Sequence, residues 1–309
     1  MSSYNLLAII GPTAGGKTSV AAHWAYHNDG EIISADSRQV YRGMTIGTGK
    51  DYADYLVNDK HVPYHCIDIV DAGEQYNVYE YQKDFLRAFN DIVSRGKMPV
   101  LCGGSGMYIE AAINDYQLVQ TPVNEELRKE LETKSGDELI TMLAQLKTLH
   151  NRSDTDTRKR LIRAIEIAVH NVGAGLATAQ SLTSVEIRPL LIGVKYDRES
   201  RRKRITQRLR QRLDEGLIEE ALGLLNSGLT PEQLEYYGLE YKYLAKYLKN
   251  ELNYSQMFDQ LNTAIHQFAK RQMTWFRRME RNGAIIWWLD GYLPIEEKLR
   301  EIDSKLKIK

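Results

Sequence analysis

The residues Gly11-Pro12-Thr13-Ala14-Gly15-Gly16-Lys17-Thr18 set a glycine-rich turn, a lysine and a hydroxyl at the spacing G-x-x-x-x-G-K-[ST]. Those types in that order bind phosphate. Backbone N–H groups of such a turn converge on an anion at a helix N-terminus, Lys17 supplies the counter-charge, and the Thr18 hydroxyl is placed to hold Mg²⁺. The turn joins an apolar run at 6–10 to a helical pattern at 18–27, the strand-to-helix setting that the motif needs. It leaves open whether the phosphates are hydrolysed, transferred or expelled.

Other residues could complete a site. A second apolar run, 31–35, ends in Asp36-Ser37-Arg38-Gln39, which sets Asp36 at the carboxyl edge of the expected sheet, beside the glycine-rich turn if the two strands are neighbours. A carboxylate there takes a proton from an amine or hydroxyl, binds Mg²⁺ through water, or simply caps a turn. The cluster Gly103-Gly104-Ser105-Gly106 again follows a strand and opens a helix. It either brings backbone and the Ser105 hydroxyl close to a ligand or makes a tight turn. Residues 42–50 are too glycine-rich for a helix and are expected to line a ligand channel, with Lys50 read as a solvated cation. Arg201, Arg204, Arg208 and Arg212 recur at helical spacing, a stripe suited equally to phosphate and to solvent. Arg158, Lys159, Arg160 and Arg163 form a second basic patch. Residues 267–277 interleave cations, amides and aromatics in a mixture that suits an RNA strand, although Phe268, Trp275 and Phe276 fit a core equally well. The seven histidines are scattered with no carboxylate motif nearby, and no nucleophile elbow occurs, so neither catalytic zinc nor acyl-enzyme chemistry is expected.

Positioning these residues calls for a sheet. Short apolar runs at 6–10, 31–35, 65–70, 98–102, 188–194 and 284–289 alternate with helical patterns such as 78–95, which indicates a parallel sheet covered by helices. The alternation breaks between 115 and 184, where Leu127, Leu131, Leu139, Leu143 and Leu146 keep helical spacing with no strand run. The fold class is therefore α/β, a P-loop parallel sheet covered by helices with an inserted helical domain. Residues 1–114 begin the core, 115–184 form the insertion, and 185–309 complete the core and add C-terminal helices. The insertion closes through 171–184, small and polar, where a mobile loop is expected. One long helix is expected over 198–225, a helix start at Thr230-Pro231-Glu232, and another helix over 254–281.

Lys and Arg number 41 against 41 Asp and Glu in 309 residues, and a net charge of zero argues against binding nucleic acid by bulk charge. The local basic clusters suit a defined polyanion instead. Cys66 and Cys102 can build neither a disulfide framework nor a cysteine zinc site and read as buried fillers. No run reaches the length of a membrane span and no signal segment precedes the first strand, so a cytoplasmic enzyme is expected.

Read together, GPTAGGKT (11–18), ADSRQVYRGMTIGTGK (35–50), HCIDI (65–69), GGSGMYI (103–109), RLIRAIE (160–166), RITQRLRQRLDEG (204–216) and AKRQMTWFR (269–277) resemble the tRNA dimethylallyltransferase family, also called tRNA isopentenyltransferases. The motifs fall in the family's order over nearly the whole chain, and that joint order makes the resemblance specific. It implies transfer of the dimethylallyl group of dimethylallyl diphosphate to the exocyclic N6 amine of adenine at tRNA position 37, in the anticodon loop, with Mg²⁺ and release of pyrophosphate. The resemblance makes Asp36 the general base and adds Ser105 and Lys17 as catalytic residues. Around the pyrophosphate it places Gly11, Thr13, Ala14, Gly15, Gly16, Lys17, Thr18 and Arg208, with Thr18 on the metal. On tRNA it places Asp36, Ser37, Arg38, Gln39, Lys159, Arg160, Arg163, Lys270, Arg271 and Gln272, with Gln39 a reader of the adenine. A monomer without a membrane partner is expected.

The chain also departs from the family pattern. Ser105 stands for a threonine and keeps the hydroxyl, Thr45 stands for an aspartate, and Arg210 and Arg212 stand for aspartate and methionine. Tyr237-Gly238-Leu239-Glu240-Tyr241 replaces a Gly-Tyr-Arg element, which bears on contact with the tRNA backbone rather than on the chemistry. The zinc-finger extension of eukaryotic members is absent, which points to a bacterial type. Three other readings share some of the parts. An adenylate isopentenyltransferase would use a free nucleotide, for which the insertion and basic helices are superfluous. A P-loop small-molecule kinase would use Asp36 as base and the insertion as a lid. A nucleotide-dependent RNA-binding switch would carry out no transfer at all.

Overall fold

All five residues of the run 6–10 are buried, as a strand covered on both faces requires. They form β1 (Leu6–Ile10), from which the chain turns through the glycine-rich loop into α1 (Lys17–His27) and back into β2 (Gly30–Ala35). A 3-10 turn (Tyr52–Tyr55), the antiparallel hairpin of β3 (Leu56–Val57) and β4 (Lys60–His61), and the short β5 (Tyr64–His65) follow. Next come α2 (Val78–Ser94), β6 (Met98–Gly103) and α3 (Gly106–Ile113). Three helices, α4 (Glu125–Glu132), α5 (Gly136–Leu146) and α6 (Arg158–Gly173), interrupt the alternation before β7 (Pro189–Lys195). The chain continues through α7 (Arg198–Asp214), α8 (Leu217–Asn226), α9 (Pro231–Tyr236), α10 (Leu239–Leu248), α11 (Tyr254–Arg281), β8 (Ile286–Asp290) and α12 (Ile295–Leu306). The computed structural model describes residues 4–114, 121–146, 157–173 and 186–307, in two compact units: residues 1–115 with 185–309, and residues 116–184.

The first unit is built on a sheet of order β5-β2-β6-β1-β7-β8 in which every neighbouring pair is parallel. Side chains of β1 alternate between two apolar layers. Leu6, Ala8 and Ile10 join Phe85, Ile109, Ile265 and Phe276, whereas Leu7 and Ile9 join Trp24 of α1 and Ile302 of α12. Each fully buried Leu or Ile contributes about 1.5–3 kcal/mol, so the sheet is held from both faces. β6 lies between β1 and β2, so the strands carrying the glycine-rich loop and Asp36 are not neighbours. Its Val100, Leu101 and Cys102 are buried on both faces, which suits a central strand.

Three elements differ from the reading of the sequence. The run 65–70 is strand only over Tyr64–His65, because Cys66 (φ 61°) and Asp68 (φ 54°) adopt left-handed backbone that breaks the ladder. The single helix over 198–225 is two, α7 and α8, divided at Gly216, whose φ of 100° no continuous helix accommodates. Of residues 171–184, those up to Gly173 extend α6 and the rest lie outside the described residues. By contrast Thr230 caps α9 in a capping box with Gln233, and α11 spans Tyr254–Arg281 behind its own Asn253 cap. The second unit has a separate apolar core of Leu131, Leu139, Leu143, Leu161 and Ile165. Among the described residues no helix is long and apolar enough to cross a membrane.

A buried carboxylate ties the sheet edge to α2. Glu31, on β2, is only 3% exposed and receives Arg95 Nη2 at 2.7 Å and Lys97 Nζ at 3.1 Å, with His65 Nε2 of β5 at 2.9 Å. The Arg95 hydrogen bonds, aided by His65 and Lys97, outweigh burial and hold its pKa down at about 2. A depressed carboxylate adds stability that is fully present above its ordinary value of 4.5 and is lost as pH falls through about 2. Glu31→Gln is expected to lower the unfolding free energy at pH 7 by about 1–3 kcal/mol and to flatten the loss of stability below pH 4.5. Urea titrations at pH 7, 4 and 3 check this, and parallel pH slopes in the two proteins would refute it.

Candidate active site

At the carboxyl edge of β1 the chain turns sharply, with Ala14 (φ 58°) and Gly16 (φ 71°) in left-handed backbone before α1 begins. Gly11 lies flat on the end of β7, where an added Cβ would stand 2.7 Å from the Val194 carbonyl oxygen. The loop thus aims its N–H groups and the positive end of α1 at one point. Lys17, half-buried, donates from Nζ to the Pro12 carbonyl at 2.9 Å, which folds its side chain back along the loop. Desolvation lowers its pKa, the Cys102 thiol opposes that, and Arg208 lowers it further while Asp36 and Asp51 raise it. Ala14 accepts a hydrogen bond from Arg204 Nε at 3.0 Å, so this arginine braces the loop from α7.

Asp36 follows β2 at the same sheet edge. Its Oδ1 accepts the Arg38 N–H at 2.9 Å, an Asx turn that fixes the orientation of the carboxylate. Ser105, following β6, stands next to it: its Oγ accepts the Ser37 N–H at 3.2 Å, and its own N–H donates to the Ala35 carbonyl at 3.2 Å. The glycines beside Ser105 allow this closeness. A Cβ on Gly103 would lie 2.3 Å from the Ala35 oxygen, and one on Gly104 would lie 2.9 Å from the Gly11 oxygen. Although β6 separates β1 from β2, the turn after β6 has no side chain at these points, so Asp36, Ser105 and the loop close on one another.

Gln272 completes the joint. It is buried, its Oε1 accepts the Thr13 N–H at 2.8 Å, and its Nε2 donates to the Gly104 carbonyl at 2.9 Å. Both halves of the Gln272 amide are thus used inside the protein. Lys270 and Arg271 on the same helix are exposed. Gln39 accepts the Ser34 hydroxyl at 2.8 Å and donates to the Gly49 carbonyl at 2.9 Å, while the Arg38 guanidinium lies 5.2 Å from the Tyr236 ring centre.

Residues 42–51 are held by groups that the local sequence does not reveal. Glu220 of α8 accepts the N–H groups of Thr45 (2.8 Å), Ile46 (2.8 Å) and Gly47 (2.9 Å), and also the Tyr241 hydroxyl at 2.6 Å. Lys50 is not solvated: it is 2% exposed and bonds to Asp68 and the Tyr41 carbonyl, because the left-handed backbone at Asp68 turns that carboxylate inward. The arginine stripe divides by partner. Arg208 pairs with Asp51, and Arg212, largely buried, lies 3.6 Å from Glu240 Oε1 and 3.8 Å from Asp51 Oδ1. Arg201 belongs elsewhere; its pKa is lowered by burial and then by Arg277 and Arg198.

In the second unit Lys159 and Arg160 are exposed, and Arg163 bonds to the Thr121 carbonyl at 2.7 Å and to Glu166 at 3.3 Å. Arg158 caps the end of α4 through the Glu132 and Lys134 carbonyls, each at 2.7 Å. Cys66 and Cys102 are buried and burial pushes both thiols up to about 12, so neither is a nucleophile. Among the described residues no group of three His, Cys, Asp or Glu could hold a metal. The oxygen groups that the sequence singles out here are the Thr18 hydroxyl, which follows Lys17, and the Asp36 carboxylate. That fits a hard cation such as Mg²⁺ bound chiefly through phosphate oxygens and water.

Known proteins resemble this chain over nearly its whole length. The family model described as IPP transferase matches residues 39–279. A protein of Parabacteroides distasonis named tRNA dimethylallyltransferase 1 is 55% identical over 302 residues, covering 97% of this chain and 96% of its own. One of Bacteroides fragilis named tRNA dimethylallyltransferase 2 is 53% identical over 307 residues, 99% of each chain. The crystal structure of the full-length tRNA isopentenylpyrophosphate transferase from Bacillus halodurans is 32% identical, covers 99% of this chain and 97% of that one, and superposes with a TM-score of 0.70. With a family model spanning most of its length and relatives above half identity from end to end, the chain belongs to the IPP transferase family.

Proposed function

We propose that this chain moves the dimethylallyl group of dimethylallyl diphosphate to the N6 amine of adenine at tRNA position 37 and releases pyrophosphate. The observation that carries the reading is the meeting, at one sheet edge, of an anion-binding loop bearing Lys17 with a fixed carboxylate, Asp36, joined through Gln272 and Ser105. The names of the relatives support tRNA as the acceptor. In the transfer, the bond between the allylic carbon and the diphosphate oxygen breaks while the carbon–nitrogen bond forms. The electron pair leaves on pyrophosphate, where the loop N–H groups, Lys17 and Arg208 meet the growing charge. The adenine amine is a weak nucleophile, and Asp36 accepts its proton as the new bond forms. In this reading the Ser105 hydroxyl, next to the Asp36 turn, donates to the amine or to the leaving oxygen. Mg²⁺, held by Thr18 and the diphosphate, would supply further neutralisation of the leaving group.

The base must reach this site, and the unpaired anticodon loop offers it at low cost. Ser37, Arg38, the exposed Lys270 and Arg271, and Lys159 and Arg160 of the helical unit 115–184 serve as phosphate and base contacts in this reading. One chain carries every proposed group, which supports a monomer at work on tRNA in the cytoplasm.

Incubation of the protein with labelled dimethylallyl diphosphate, Mg²⁺ and unmodified tRNA tests the proposal. Label enters tRNA and not AMP; label on AMP, or phosphate release from ATP with neither, overturns it. Asp36→Ala is expected to lower transfer by at least about 100-fold with tRNA affinity within about threefold of wild type. A parallel fall in affinity, read by gel shift, would make Asp36 a recognition residue instead. Gln272→Ala leaves the Gly104 carbonyl and the Thr13 N–H unpaired, so it is expected to cost about 1–3 kcal/mol in urea unfolding and to raise KM for the diphosphate more than it lowers kcat. An unchanged KM for the donor would count against its part in shaping the loop.

A further inference from the structure

Asp51 sets an aspartate carboxylate among the cations of the anion seat. It precedes the 3-10 turn at Tyr52–Tyr55 but does not cap it through its side chain. Its Oδ2 is paired with Arg208 Nη2, its Oδ1 lies 3.8 Å from Arg212 Nη2, and its charge is felt at Lys17. Arg212 has a second carboxylate, Glu240, in the opposite direction at 3.6 Å, whereas the described ion pairs of Arg208 are with Asp51 alone. The pair is partly open to solvent, with side-chain exposures of 29% for Arg208 and 43% for Asp51, so exchange of partner needs no unfolding. Backbone holds the carboxylate in place: the Asp51 carbonyl accepts the Asp54 N–H at 2.9 Å, and the Gly49 carbonyl two residues earlier is bonded by Gln39.

We propose that Asp51 is a built-in competitor for Arg208, which weakens the grip of the site on diphosphate and so speeds the departure of the pyrophosphate product. The inference rests on the function proposed above. A diphosphate seated in the loop draws the same guanidinium that Asp51 holds, so each binding event replaces one anionic partner of Arg208 by another. The carboxylate also adds like charge beside the incoming phosphates. Both effects act against affinity. A site with Lys17, Arg204, Arg208 and a helix N-terminus would otherwise retain a multiply charged product, and the resident carboxylate offsets part of that attraction.

The test is pyrophosphate binding by calorimetry with Mg²⁺ present, on the full chain, for wild type, Asp51→Asn and Asp51→Ala. Both variants are expected to bind pyrophosphate about five- to tenfold more tightly, with a matching fall in the inhibition constant of pyrophosphate against dimethylallyl diphosphate. A damaged loop would weaken binding, so tightening separates competition from a structural role. In an Arg208→Gln background the gain from Asp51→Asn is expected to shrink to less than twofold, since the contested partner is gone. Unchanged or weaker pyrophosphate binding in both variants overturns the proposal. Failure of wild type to label tRNA would overturn the proposed function instead, and the calorimetry reports on Asp51 independently of that outcome.

Discussion

The side-chain amide of Gln272 lies buried between the loop that follows β1 and the turn that follows β6, and each half of it meets a backbone group of opposite character. A buried amide must find partners or cost several times what it returns, so this one sets the separation of the two turns. Glycines at 103 and 104 make the short separation possible by removing the atoms that would fill it. Every proposed catalytic group depends on that spacing, because Ser105 and the Asp36 turn hang from the far side of the same joint. The chemistry is carried by loops, and the joint is what gives those loops fixed positions.

Electrostatics is arranged with similar economy in a chain of zero net charge. Of the three arginines on one side of α7, Arg204 is spent on the Ala14 carbonyl and Arg212 is sunk between two carboxylates. Arg208 is partly exposed and pairs with Asp51. A stripe that looks uniform by spacing is thus three different devices: a brace, a buried anchor and an exchangeable charge. The neighbouring segment 42–51 follows the same logic, with Glu220 taking three consecutive N–H groups that a glycine-rich loop would otherwise leave to water.

Signals that act over a few residues were legible in the sequence. The strand–loop–helix at 6–27, the Thr230 cap and the helix over 254–281 each rest on contacts within one turn of chain, and each stands as expected. The sheet order was not legible, since strand and helix patterns do not say which buried strand is central; β6 lies between β1 and β2. The 65–70 run failed as a strand because left-handed backbone at Cys66 and Asp68 leaves no mark on hydropathy. The burial of Lys50 and the internal bonds of Gln272 were hidden for a shared reason. Polar residues on a helix face or in a glycine-rich loop look solvated until the tertiary partner is known, and those partners lie 168 and 259 residues from Gln272 and 18 residues from Lys50.

The span of these contacts bears on the birth of the protein. The anion loop is made well before its partners: its strand acquires its second neighbour only with β7, and Thr13 finds Gln272 only after 259 further residues. Segment 45–47 likewise waits for Glu220. Such long-range closure is slow relative to helix formation and falls late in folding. On the ribosome, a chain that has emerged only through β6 holds the sequence of a phosphate loop without the braces that shape it. The capacity to hold a diphosphate therefore appears as one of the last properties of the chain, once its C-terminal helices have docked.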